Sequence, residues 1–510
     1  MLEIFDKPAL DCVAIDFGTT SCSVALDGNV LELDGESMID STISYDNVLI
    51  PSIKRAISNP KEILQWNLKS KVEDSLGYIQ IGDSWKSVIE ISSDLLCTLR
   101  HKTNKHLKKN IRNTVITVPA RFDEYQRQCV IEAATLAGWN VVRVIAEPTA
   151  AFLSVQNCTD GIYCVYDLGG GTFDFTVLRK DLDVIQVLGT TGDTEIGLDY
   201  FDERFCDLGI SIDQVKLKRE MGKITDFSRC DGLIDRSINQ SVRLLDKLQV
   251  KPNQLIVVGG GAYMDCIINT LQKLDIPMYI PPQPRLAVVK GASIHAKQLM
   301  DKNIHLLIDI TPLSIGVESL HGMVEWVIEK NTPLPFAKSI TFTNIHHNQT
   351  QIVFNVVQGE GIFAEDCRSL GRFKINVKPS LPNTVKVAVK FTINLNGMLH
   401  IECKNLNTAE MYNVEFSSGE GLTKSMINRM LENSMKNAIL NDEHRRLCKM
   451  LIDIDIVLAK LNNNISNDTK QKRAEIKNTH DAMKFIEELE SLHGRQVESE
   501  LCEAITTSYL

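Results

Sequence analysis

The sequence predicts a multidomain chain in which an α/β domain is followed by an all-β module and then by a helical segment. Three observations carry this. Up to about residue 303, short apolar β-type runs alternate with helical stretches. From 314 to 418 strands dominate with a period of two, and from 423 onward apolar residues recur at helix-face spacing. A chain of 510 residues also exceeds what one hydrophobic core organises, so several domains are expected.

Composition narrows the class before any motif is considered. Hydrophobic residues make up 44% and charged residues 24%, the balance of an ordinary globular protein. A formal net charge of -10 argues against general nucleic-acid binding, which needs basic clusters. Thirteen cysteines are scattered without a CxxC pair, which argues against a zinc site or a disulfide framework and for a reducing compartment. The first ten residues lack the basic flank and apolar run of a signal peptide, and no membrane span is expected, so the cytoplasm is the expected location.

In the α/β zone the strand-like runs are VAI at 13–15, TVITV at 114–118, YCVY at 163–166 and LIVV at 255–258. Two of them lead into glycine turns. Asp16 closes the first run and is followed by Phe17, Gly18, Thr19 and Thr20. Gly18 lets backbone amides approach phosphate oxygens, the two threonines add hydroxyl donors, and Asp16 suits a magnesium ion held through water. A tight hairpin without a ligand would leave the same trace. The pattern returns 151 positions later, where Asp167 precedes Gly169, Gly170, Gly171, Thr172 and Asp174. Two such loops facing each other would clamp the β and γ phosphates of a nucleotide. Gly259, Gly260 and Gly261 form a third cluster, placed by the same logic beside the adenosine.

Between the first two zones runs IHLLIDI at 304–310, too apolar for an ordinary mobile linker. It reads either as a buried strand of one neighbour or as a strand-forming linker that docks in one state. In the β module Val387, Val389, Phe391 and Ile393 alternate with polar positions, Asn396-Gly397 predicts a tight primed turn, and Leu399, Ile401 and Cys403 resume the alternation. Thr423 is a plausible N-cap for a helix carrying Ile427, Met430 and Leu431, and Leu447, Leu451, Ile454, Leu458 and Leu461 make a second stripe.

Longer stretches in chain order carry a resemblance: TVITVPARF at 114–122, QRQ at 126–128, EPTAA at 147–151, VYDLGGGTFD at 165–174, GDT at 192–194 and LLIDITPLSIGVES at 306–319. With these the chain resembles the heat shock protein 70 family. The resemblance implies an actin-like, hexokinase-type ATPase domain at 1–303, an interdomain linker at 304–313, a β-sandwich peptide-binding domain at 314–421 and an α-helical lid at 422–510. VQGE at 357–360 and EDCRSLGRF at 365–373 are similar to the branch of the family that serves iron-sulfur cluster assembly, HscA. A chaperone hydrolysing ATP with Mg2+ is therefore expected. Its partners would be an iron-sulfur scaffold protein as client, a J-domain cochaperone and extended hydrophobic peptides, with the chaperone itself a monomer that holds no cluster.

Carried over residue by residue, the resemblance makes Lys54 the catalytic lysine, against the alternative of a solvated surface lysine. Glu147 becomes a carboxylate near the nucleophile, Asp16, Asp167 and Asp174 hold hydrated magnesium or orient water, and Thr172 sits beside the γ phosphate. Gly197, Lys218, Arg219 and Tyr263 fall on the adenosine side, Tyr263 as a stacking ring. Pro119 and Arg127 would relay to the linker residues Leu306, Leu307 and Asp309, although Pro119 also suits a plain strand end. Val317, Leu320, Phe342, Ile345, Ile352 and Phe354 would line the peptide channel, where ordinary core is the competing reading.

Departures gather on the adenosine side. Leu198 replaces a family glycine, Ala146 an asparagine, Val215 and Gly222 an acid and a serine, Gly261 and Tyr263 a serine and an arginine, and Arg285 an aspartate. The lobe between Phe205 and Leu245 is short, which predicts weak nucleotide retention. Two other functions stay open at this stage: an ATPase-deficient holdase, and a small-molecule kinase of the same superfold.

Overall fold

The computed structural model describes residues 11–45, 48–66, 68–73, 76–155, 158–205, 226–301, 306–319, 322–344, 347–381 and 383–414. It adds positions 215, 219, 224, 450, 454, 472, 481–486 and 488. Among the described residues the first zone is built on two six-stranded sheets with one local plan. In the first, strand β1 (Cys12–Phe17) pairs in parallel with Asn113–Val118 and antiparallel with Ser21–Leu26. In the second, strand β2 (Gly161–Leu168) pairs in parallel with Gln254–Val258 and antiparallel with β3 (Phe173–Asp181). Each glycine-threonine turn joins an antiparallel pair whose first strand is buried on both faces. The repeated sequence pattern is thus a repeated piece of architecture, and both turns leave the ends of central strands, where open α/β sheets bind ligands.

Helices cover the sheets. Helix α1 (Glu124–Leu136) starts at a capping box in which Asp123 accepts from the Gln126 amide at 2.8 Å and Gln126 accepts from the Asp123 amide at 2.9 Å. Helix α2 (Glu147–Leu153) carries proline in its first turn, where a missing N–H costs nothing, and packs against Ala287–Asp301.

The apolar stretch after residue 305 forms strand β4 (Leu306–Ile308). It pairs in parallel with the edge strand β5 (Val184–Asp193), Leu306 opposite Val184 and Ile308 opposite Gln186. Leu307 is 6% exposed and joins Ile185 and Ile310 in the core, whereas Leu306 is 55% exposed. One buried leucine of this kind contributes about 2 kcal/mol.

The second zone is a sandwich of two four-stranded antiparallel sheets. Burial alternates along Lys386–Ile393 and Leu399–Asn405 as the sequence period predicts, and Val387, Val389, Phe391, Ile401 and Cys403 meet Ile315, Val317, Phe354 and Val356 between the sheets. The connection at Asn396-Gly397 is not a two-residue primed turn. Gly397 alone has positive φ, at 79°, its amide donates to Asn394 O at 3.0 Å, and Asn394 N reaches Met398 O at 3.0 Å. This is the three-residue loop with a left-handed glycine, and Asn396 is left in an ordinary conformation with its side chain free for another use.

In the third zone Ile454, Ala482 and Phe485 are buried. Thr423, Leu447, Leu451, Leu458 and Leu461 lie outside the described residues, so the expected helical stripes are not described there. No described helix is long and apolar enough to cross a membrane.

Candidate active site

The two glycine turns interlock. A Cβ on Gly170 would fall 1.9 Å from Thr20 Oγ1, and one on Gly171 would fall 2.6 Å from the Thr19 methyl, so only glycine lets the loops approach this closely. Amides of Leu198 and Asp199 donate to Gly169 O at 3.0 Å and Gly170 O at 2.8 Å, fixing the second loop to the start of the helix Leu198–Glu203. Gly197 precedes that helix in extended backbone. The resulting cleft is walled by Asp16, Gly18, Thr19, Thr20, Gly169, Gly170 and Thr172 on the loop side, with Lys54, Glu147 and Asp167 at its floor.

Charge is unbalanced in this floor. Asp167 and Asp174 stand opposite each other in the β2–β3 pair, and Asp16 accepts from Thr117 Oγ1 at 2.8 Å. Lys54 is 1% exposed, forms an ion pair with Glu147 and lies about 6 Å from the rings of Phe17 and Phe122. Burial works against its ammonium, but Glu147 and Asp16 outweigh that and hold its pKa above the ordinary value. The solvated-surface reading of Lys54 is thereby excluded.

The carboxylates carry the cost. Burial, then the Glu147 charge, pushes Asp16 up to about 6 and Asp174 up to about 7, and Asp167 is raised well above its usual value by burial and the surrounding acids. Asp174 Oδ1 is buried without a hydrogen-bond partner. Acids this crowded around one lysine fit a site that receives a divalent cation with its water shell. Among the described residues no group of three or more His, Cys, Asp and Glu side chains has a metal-holding arrangement.

The far end of the cleft differs. Leu198, Arg219, Gly259, Gly260, Arg285 and Val288 form its wall. Arg219 is held by Asp202 through two hydrogen bonds of 2.7 and 2.9 Å. Gly261 is buried behind Gly260, while Tyr263 is 62% exposed and stands outside the cleft wall. Lys218 and Gly222 lie outside the described residues. Asp199, whose carboxylate accepts from Ser52 Oγ at 3.4 Å and Thr20 Oγ1 at 3.5 Å, and Asp202 gave no sequence signal, since their partners are far along the chain.

Away from the cleft, the β-sandwich sits on the start of α1. Glu124 N donates to Gln358 Oε1 at 2.9 Å, Leu399 N donates to Glu124 Oε1 at 3.1 Å, and Arg368 pairs with Asp123 at 2.8 Å. Asn396 Oδ1 accepts from Val144 N at 3.1 Å, which is the use its turn leaves open. Arg127 is 4% exposed and donates to Phe122 O at 3.0 Å, beyond Pro119, whose carbonyl closes the turn to Phe122. Burial lowers the Arg127 and Arg143 pKa values while Asp309 pulls both up, so the linker acid faces both guanidiniums. Arg143 and Glu124 were not singled out from sequence; a charged residue inside an apolar strand was the available signal for the first.

Of the residues expected to line a peptide channel, Val317, Ile352 and Phe354 are buried in the sandwich core, and Phe342 packs edge-on against Phe354 at 5.1 Å. Leu320 and Ile345 lie outside the described residues.

The family model described as Hsp70 protein matches residues 54–223 and 212–508. Curated relatives agree along most of the chain. The Chaperone protein HscA homolog of Rickettsia prowazekii (strain Madrid E) is 33% identical, covering 91% of this chain and 87% of the relative. That of Rickettsia africae (strain ESF-5) is 32% identical over 95% and 90%, and that of Rickettsia typhi (strain ATCC VR-144 / Wilmington) 31% over 91% and 89%. With facing phosphate loops, a β-sandwich domain and these matches, the chain belongs to the heat shock protein 70 family of ATP-hydrolysing chaperones.

Proposed function

We propose that this chaperone is of the HscA type and uses ATP hydrolysis to capture and release an extended apolar segment of an iron-sulfur scaffold protein, with a J-domain cochaperone as partner. One observation carries the coupling. Strand β4 adds to the sheet that contains the second phosphate loop, while the sandwich that follows it rests on α1. A change at the nucleotide therefore has a continuous backbone route to the peptide domain.

In this reading residues 1–303 are the ATPase domain, 304–313 the linker, 314–421 the peptide domain and 422–510 a helical lid. Asp16 and Asp167 hold Mg2+ through water, and that ion supplies charge neutralisation on the phosphates. Lys54 exchanges Glu147 for the γ phosphate and orients the attacking water, Glu147 and Asp174 accept hydrogen bonds from that water, and Thr172 contacts the γ phosphate. Val317, Phe342, Ile352 and Phe354, with Leu320 and Ile345, form the channel, in which backbone hydrogen bonds and one central pocket hold the client.

The test is steady-state hydrolysis by the full chain, with and without the scaffold peptide and the J-domain partner. Together they are expected to accelerate turnover; a rate unmoved by either ends the scaffold reading.

A further inference from the structure

We propose that Arg55 is a positioning residue for hydrolysis: it clasps the helix carrying Lys54 to the helix that anchors the second phosphate loop, and so sets where Lys54 stands in the closed cleft. This rests on the reading of Lys54 as the lysine that faces the γ phosphate, and deepens it.

Lys54 sits on Ile53–Ser58, a helix of six residues. A helix that short is marginal by itself, so its contacts decide its placement. Ile53, Ala56 and Ile57 bury it in the core beside the first sheet, and Gln126 Nε2 donates to Ser58 O at 2.7 Å at its far end. These contacts fix the lysine relative to Asp16 on the first sheet. They do not fix it relative to Thr172, which follows a strand of the second sheet.

The start of the helix reaches that second sheet. Ser52 has a left-handed φ of 46° and forms no side-chain cap on its own helix, although serine favours that role. Its Oγ donates instead to Asp199 Oδ2 at 3.4 Å. Arg55 spans the same gap more firmly. Its Nη1 donates to Glu203 Oε1 at 2.9 Å, its Nε donates to Tyr200 Oη at 3.2 Å, and its guanidinium carbon lies 4.0 Å from the centre of the Tyr200 ring. Glu62, on the side of Lys54, comes within 2.9 Å of the same Nε, so the guanidinium is held between acids from both sides of the cleft. Tyr200 is itself anchored, donating to Thr194 O at 3.1 Å. The helix Leu198–Glu203 carries both partners of Arg55, and its first amides hold the carbonyls of Gly169 and Gly170.

One residue from Lys54 to Arg55, one contact across the gap and one helical turn thus join the lysine to the phosphate loop. The lysine and Thr172 must meet one phosphoryl group from opposite sides, and a misplacement of about 1 Å costs about a hundredfold in rate. An exposed ion pair would set such a distance poorly. Arg55 is 8% exposed, and its planar, charged fork serves a ring and a carboxylate at once, which a lysine does not match.

The experiment measures single-turnover ATP hydrolysis and the KM for ATP with the full chain. Arg55→Ala is expected to slow hydrolysis about tenfold while KM changes less than about threefold. Because the loss passes through Lys54, Arg55→Ala combined with Lys54→Ala is expected to be no slower than Lys54→Ala alone. Arg55→Lys should recover only part of the rate. Glu203→Gln, on an exposed side chain, and Tyr200→Phe should each give part of the loss and add little to Arg55→Ala. Hydrolysis by Arg55→Ala at the wild-type rate overturns the proposal, as do losses that multiply when Lys54 is also replaced, since these would mark a structural effect independent of the lysine. If Arg55→Ala does not fold, Glu203→Gln and Tyr200→Phe decide, and unimpaired hydrolysis by both overturns it. Wild-type hydrolysis by Lys54→Ala ends both readings; a slow Lys54→Ala beside an unimpaired Arg55→Ala ends this one alone.

Discussion

Lys54 is buried among the acids Asp16, Glu147, Asp167 and Asp174, and its contacts say what its removal does. Lys54→Ala is expected to lower hydrolysis by about two to three orders of magnitude, since a positioned charge at a transferring phosphoryl group is worth that much. The circular dichroism spectrum should stay native, because Phe17, Phe122 and the strands around them keep their packing. Hydrolysis at the wild-type rate would show that another cation faces the γ phosphate. Asp16, Asp167 and the glycines were legible in the sequence because each loop is a local unit of strand, acid and turn. Asp199 meets Thr20 and Ser52 through contacts distant along the chain, for which one sequence carries no local trace.

Helix α1 joins cleft and sandwich through one acid. Glu124 is 6% exposed, accepts from Leu399 N, and burial pushes it up to about 7, with Asp123 adding to the rise. Arg368, Tyr125 and Gln358 complete its surroundings, the first paired with Asp123 and stacked 5.0 Å from the Tyr125 ring. Separated from the sandwich, the same carboxyl titrates near about 4.3. Its docked pKa is the raised one, so its contribution to docking is complete below about 4.3, declines above that and is lost beyond about 7. Protection of the Leu399 amide from hydrogen exchange should therefore fall as pH rises from about 5 to about 8, beyond the change in intrinsic exchange, and Glu124→Gln should flatten the profile. A wild-type profile without slope would show that the interface does not take up this proton. The strands of the sandwich were legible from their period of two, whereas Asn396-Gly397 forms a three-residue loop whose Asn396 side chain accepts from Val144 N, a contact distant along the chain.

Of the three zones read from periodicity, the α/β stretch and the β module contain the described sheets, and the helical third lies mostly outside the described residues; how the first two meet was not legible, because docking depends on single polar contacts such as Arg368–Asp123. The linker shows the difference best. Its apolar run left a buried strand and a docking strand both open, and the structure places it on the outer edge of β5. Leu307→Asp would put an unpaired carboxylate into the cluster of Ile185 and Ile310, at a cost of several kcal/mol, more than the roughly 2 kcal/mol the leucine contributes. Peptide stimulation of hydrolysis should vanish while basal turnover persists; continued stimulation would place the coupling elsewhere. A catch of three residues holding one buried leucine has thermodynamic leverage. Since each 1.4 kcal/mol shifts a ratio about tenfold, loss of the roughly 2 kcal/mol that Leu307 contributes changes the docked-to-undocked ratio by more than tenfold. The shortness of β4 makes this latch responsive rather than strong.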